Sequence, residues 1–67
     1  MKESKTYWEN GNVKTIRYYS KGEILTCMIR YSYKGELLII DYFNEVGELI
    51  KYDYVDEKGD LKNVDFI

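Results

Sequence analysis

The sequence has no histidine, no proline and a single cysteine, Cys27, among 67 residues. Each absence excludes something. Without His, the commonest metal ligand is missing, and so is the side chain that normally titrates near neutral pH. A nucleophilic Ser, Cys or Thr therefore lacks its usual base, and no catalytic residue is expected. One thiol cannot close an intrachain disulfide, and the lack of proline argues against a polyproline ligand or a proline-rich linker. The longest uninterrupted apolar run, Leu37 to Ile40, is far short of the ~20 residues a membrane helix requires. No apolar stretch follows Tyr7 and Trp8, so no signal peptide and a reducing cytoplasm are expected. A domain of this size buries only about 60% of its unfolded surface. Oligomerisation is the stabilising device that remains.

What is present is a repeat. The five glycines, Gly11, Gly22, Gly35, Gly47 and Gly59, follow one another at spacings of 11, 13, 12 and 12. Each lies in a polar cluster such as Glu9-Asn10-Gly11-Asn12 or Glu57-Lys58-Gly59-Asp60. Such clusters suit a type I turn with a glycine bulge, where only glycine takes a left-handed backbone without steric cost. All five are therefore read as turn glycines.

Between the glycines the pattern alternates with period two, as half-buried strands require. Offsets of five and seven from each glycine hold Ile16/Tyr18, Cys27/Ile29, Ile40/Tyr42, Tyr52/Tyr54 and Val64/Phe66. The intervening offsets are mostly polar: Thr15/Arg17, Thr26/Met28, Ile39/Asp41, Lys51/Asp53 and Asn63/Asp65. No helical period competes, and Tyr, Ile, Val and Phe favour strands. The expected fold is all-β: one domain over residues 1–67, a single antiparallel up-and-down meander. Its expected strands lie near 4–8, 13–19, 24–33, 37–44, 49–56 and 61–66. All the apolar offsets are expected on one face, covered by curling of the sheet or by a second chain, since a domain normally needs two layers. A homodimer is the favoured expectation.

The net charge of −2 conceals a polarity, with residues 1–34 at +4 and residues 35–67 at −6. That division permits pairing between copies or attraction to a charged partner. Arg17 and Arg30 form a small basic patch on the polar face, but a pI near 5.0 argues against nucleic acid as a partner. Asp41, Lys51, Asp53 and Asp65 are expected on that same polar face. The carboxylates Asp53, Asp56, Glu57 and Asp60 do not follow a calcium-loop spacing, so neither metal nor cofactor is expected. Trp8, the only tryptophan, is a candidate contact residue because interface hot spots are enriched in Trp and Tyr.

The stretch Tyr7-Trp8-Glu9-Asn10-Gly11-Asn12-Val13-Lys14 resembles the Y-[YW]-E-N-G-[KN]-[LV]-K core of MORN-like repeats, found in bacterial proteins often labelled antitoxin-like. Tyr33-Lys34-Gly35-Glu36-Leu37 is similar to the companion half-repeat, and the 24-residue step Gly11–Gly35–Gly59 matches a two-strand unit. The glycine that such units place before the aromatic strand is absent here, and the later turns are acidic. The resemblance implies a scaffold for protein contacts, with an antitoxin or phage-type inhibitor role. The expected function is thus a non-enzymatic protein-interaction module. Its partner surface draws on Trp8, Arg17, Arg30, Asp41, Lys51, Asp53 and Asp65. The alternative is a small β-barrel or half-barrel holding an apolar or aromatic ligand on a tyrosine-rich face.

Overall fold

A computed structural model describes residues 2–66. Six strands follow the chain: β1 (Lys2–Tyr7), β2 (Val13–Tyr19), β3 (Leu25–Tyr31), β4 (Leu37–Phe43), β5 (Leu49–Val55) and β6 (Leu61–Asp65). They form one antiparallel up-and-down sheet in the order β1 to β6. The sheet is not closed into a barrel: β1 and β6 are free edges, and strands touch only their sequence neighbours. The described residues contain no helix.

The turns repeat every twelve residues. In each, the first residue's N–H donates to the carbonyl of the fifth: Trp8 to Asn12, Ser20 to Ile24, Ser32 to Glu36, Asn44 to Glu48 and Asp56 to Asp60, all at 2.8–2.9 Å. The fourth residue takes the left-handed conformation. At Gly11, Gly35, Gly47 and Gly59 its φ lies between 84° and 91°. The second turn departs from expectation, because Glu23, not Gly22, holds that position with φ of 61°. Gly22 stands one residue ahead of the repeat. β3 is accordingly shorter than 24–33, because the hydrogen-bonded turns around Ser20 and Ser32 take up its ends.

Register then decides which side chains share a surface. In the first four hairpins the pairing slips by one residue, as at a β-bulge. A bulged strand carries one residue more than its partner. The β5–β6 pair shows no slip. An odd glycine spacing combined with a bulge keeps equal offsets on one face, which holds for β2, β3 and β4. Between β4 and β5 the spacing is even and the bulge persists, so the faces exchange. Ile40 lies opposite Asp53, and Tyr52 lies opposite Asp41. The even spacing without a bulge at β5–β6 keeps the new phase, with Tyr52 opposite Val64.

The expectation of a single apolar face is therefore corrected. One surface, the isoleucine face, carries Ile16, Ile29 and Ile40 in one row and Tyr18, Cys27 and Tyr42 in the next. The other, the aromatic face, carries Tyr52, Tyr54 and Val64 on β5 and β6. The physical reason is that side chains alternate with period two, so one extra residue sends a strand's apolar set to the other surface.

The sheet measures 32 × 28 × 13 Å, the thickness of one layer. No described side chain is completely enclosed, and only Thr15, Met28 and Asp41 are buried. All three belong to the aromatic face, where Met28 pairs with Arg17 and with Asp41.

Candidate functional site

The residues singled out from sequence divide between the two surfaces and one end of the sheet. Arg17, Arg30 and Asp41 share the aromatic face, whereas Lys51, Asp53 and Asp65 lie on the isoleucine face. The expected common polar face for these six is thus corrected, for the same reason that β5 inverts. Arg17 and Arg30 do fall on one side, as expected. Met28 pairs with both Arg17 and Asp41, placing a carboxylate in the same row as the arginine. This surface carries both signs of charge.

Trp8 sits at the end of the sheet where the first and third turns meet. Its indole N–H donates to the Tyr31 carbonyl at 3.2 Å. Its ring meets Tyr33 edge-on at 5.8 Å between centroids, and the Lys14 ammonium lies 4.6 Å from its centre. Asn10 and Asn12 both donate to the Tyr33 carbonyl, at 2.8 and 3.0 Å. The Glu9-Asn10-Gly11-Asn12 segment is therefore a clamp joining alternate turns. In later turns the position equivalent to Trp8 holds Ser20, Ser32, Asn44 or Asp56. Each of these side chains accepts a backbone N–H of its own turn. Trp8 replaces that cap with a contact to the neighbouring turn.

On the isoleucine face, Asp53 is held by two donors: the Tyr42 hydroxyl to Oδ2 at 3.1 Å, and the Asn63 amide to Oδ1. The Lys51 ammonium lies 4.9 Å from the centre of the Tyr42 ring. Burial raises the Tyr42 phenol above its usual value, and its hydrogen bond to Asp53 and the charges of Asp53 and Cys27 add to the rise. Cys27 is half-buried in the same row. Burial pushes its thiol up, with the Asp41 carboxylate contributing further. A thiol held in its protonated form is a poor nucleophile.

The aromatic face holds Tyr52 and Tyr54, which are expected from the glycine offsets to lie in a covered core. Tyr52 lies 6.0 Å from Tyr54 and 5.8 Å from Phe66, centroid to centroid. Tyr54 and Phe66 are nevertheless 36% and 56% exposed, which marks this cluster as an uncovered surface. The even spacing from Gly35 to Gly47 departs from the odd spacings before it, but the bulge in the β4–β5 pairing is what sends this cluster to the other face. The twelve-residue recurrence of Ser20, Ser32, Asn44 and Asp56 reveals the true frame. Among the described residues no cluster of three or more carboxylate or thiol ligands is placed to hold a metal ion.

No family model matches the chain, and neither does any curated protein or solved structure to which it was compared.

Proposed function

We propose that this chain is a non-enzymatic protein-interaction module, acting as a homodimer and binding a second protein through its aromatic face. One observation carries this reading: Tyr52, Tyr54 and Phe66 form a cluster on a sheet with no second layer, and two of the three stand substantially exposed. Contiguous exposed apolar patches rimmed by polar residues mark interaction sites, and tyrosine and phenylalanine supply rigid contact area there. Arg17, Arg30 and Asp41 on the same surface supply charged neighbours that favour a partner of matching pattern. The resemblance of the Tyr7–Lys14 stretch to MORN-like repeats supports an antitoxin-like or phage-type inhibitor role in a cytoplasmic setting.

A ligand held on one tyrosine-rich face has less support. Tyr18 and Tyr42 belong to one surface, Tyr52 and Tyr54 to the other, and the open sheet encloses no barrel interior.

The test is affinity capture from the source cell, comparing the wild type with Tyr54→Ser/Phe66→Ser and with Lys34→Ser, an exposed control in the turn between β3 and β4. The reading expects one stoichiometric partner, lost with the double variant and kept with the control. A partner retained by the double variant, with the fold intact by circular dichroism, would remove the aromatic face from the account.

A further inference from the structure

The isoleucine face has a symmetry of its own. Across β1 to β5 its first row reads Lys5, Ile16, Ile29, Ile40, Asp53, and its second reads Glu3, Tyr18, Cys27, Tyr42, Lys51. Each row is apolar over β2 to β4. At β1 and β5 it carries opposite charges, and the sense reverses from one row to the next. β6 extends the rows with Asn63 and Asp65, and over β1 to β5 the pattern is self-complementary about β3.

We infer that this face is the contact surface of the homodimer, two copies stacking face to face about a two-fold axis that runs along β3. Such an axis lays β1 of each copy over β5 of its partner and β2 over β4. Lys5 then meets the partner's Asp53, Glu3 meets the partner's Lys51, and isoleucine meets isoleucine between them. A two-fold interface must be self-complementary in this way. Stacked antiparallel sheets pack about 10 Å apart with their inner side chains interdigitated. The size also fits. Five of the six strands of a 32 × 28 Å face offer roughly 750 Å², near the ~800 Å² per partner of a standard stable interface. The aromatic face lacks this symmetry about β3, since Arg17 and Arg30 lie on β2 and β3, Asp41 on β4 and Lys62 on β6, while the aromatic rings gather at β5 and beyond. It stays outward, free for the second protein.

This inference rests on the reading of the chain as a paired module and specifies which surface pairs. Sedimentation equilibrium on the full chain tests it. The wild type is expected to be dimeric at micromolar concentration. Glu3→Lys/Lys5→Glu sets like charges against the partner's β5, and its dissociation constant is expected to rise by about tenfold or more. These two substitutions lie on an exposed edge strand, so the fold should survive, as circular dichroism would verify. Adding Lys51→Asp/Asp53→Lys restores the opposition of charges and is expected to recover the dimer. A monomeric wild type, a dimer indifferent to the β1 reversal, or a quadruple variant no tighter than the double variant would each overturn the inference. Tyr54→Ser/Phe66→Ser separates the two proposals: it should abolish capture of the second protein while leaving the dimer unchanged. A monomer that still loses its partner through that variant would overturn only the pairing.

Discussion

The Tyr42 hydroxyl donates to Asp53 Oδ2 at 3.1 Å across the β4–β5 pair, so ring and carboxylate occupy one surface. Tyr42→Phe removes this bond and keeps the ring beneath the Lys51 ammonium. A loss of about 1 kcal/mol at neutral pH is expected, the usual worth of such a bond, read from urea midpoints. The pH dependence has a definite sign. Tyr42 has a raised folded-state value, so the fold favours the protonated phenol. Its contribution is complete below the unfolded tyrosine value near ~10 and is lost as pH rises through the folded one. The variant should therefore lose less stability than the wild type as pH rises above about 10.

Glu23 occupies the left-handed position that glycine holds in the other four turns. A non-glycine residue there costs roughly 1–2 kcal/mol, partly offset by the entropy glycine loses on folding. Glu23→Gly gives up an exposed pair with Lys2 at 2.9 Å, which contributes little. A net gain of about 0.5–1 kcal/mol is expected in chemical denaturation. Gly47→Ala should move stability the other way, because its φ of 84° stays strained for alanine.

Trp8 ties the first turn to the third through its indole N–H and its edge contact with Tyr33. Trp8→Ala should cost about 2 kcal/mol, below the range for fully buried tryptophan because this one is only half-buried. Trp8→Phe keeps ring packing but loses the donor, and about 1 kcal/mol is expected. Equal losses in the two variants would mean that the packing contributes nothing.

Much of this architecture was legible in the residues. The turn clusters around Asn10-Gly11 and Lys34-Gly35 and the alternation from Ile16 to Tyr42 led directly to six strands in a meander. What hid was the phase between β4 and β5. Counting from Gly22, which stands one residue early, places Cys27 and Ile29 correctly by cancelling the bulges on either side of β3. Gly35 and Gly47 contain no such cancellation, and the same counting misplaces Tyr52 and Tyr54. Backbone bulges carry no strong side-chain signature, so the exposed aromatic cluster emerges only from the pairing. Trp8 was visible as unusual, and its bond to Tyr31 shows it holding turns together.

Cys27 has a thiol raised by burial and by the Asp41 carboxylate. Its reaction with a disulfide reagent at pH 8 should run slower than that of free cysteine, because less thiolate is present. Asp41→Asn removes the negative charge and should accelerate it. No change in that variant would assign the whole effect to burial.

The exchange of apolar faces between β4 and β5 supports both the outward aromatic cluster and the self-complementary isoleucine rows. Nuclear Overhauser contacts of the Tyr42 ring test it most directly. The account predicts cross-peaks from that ring to the Lys51 methylenes and the Asp53 β-protons, with Tyr52 protons contacting Val64 and Phe66. Strong Tyr42–Tyr52 ring contacts, with Lys51 silent toward Tyr42, would contradict it.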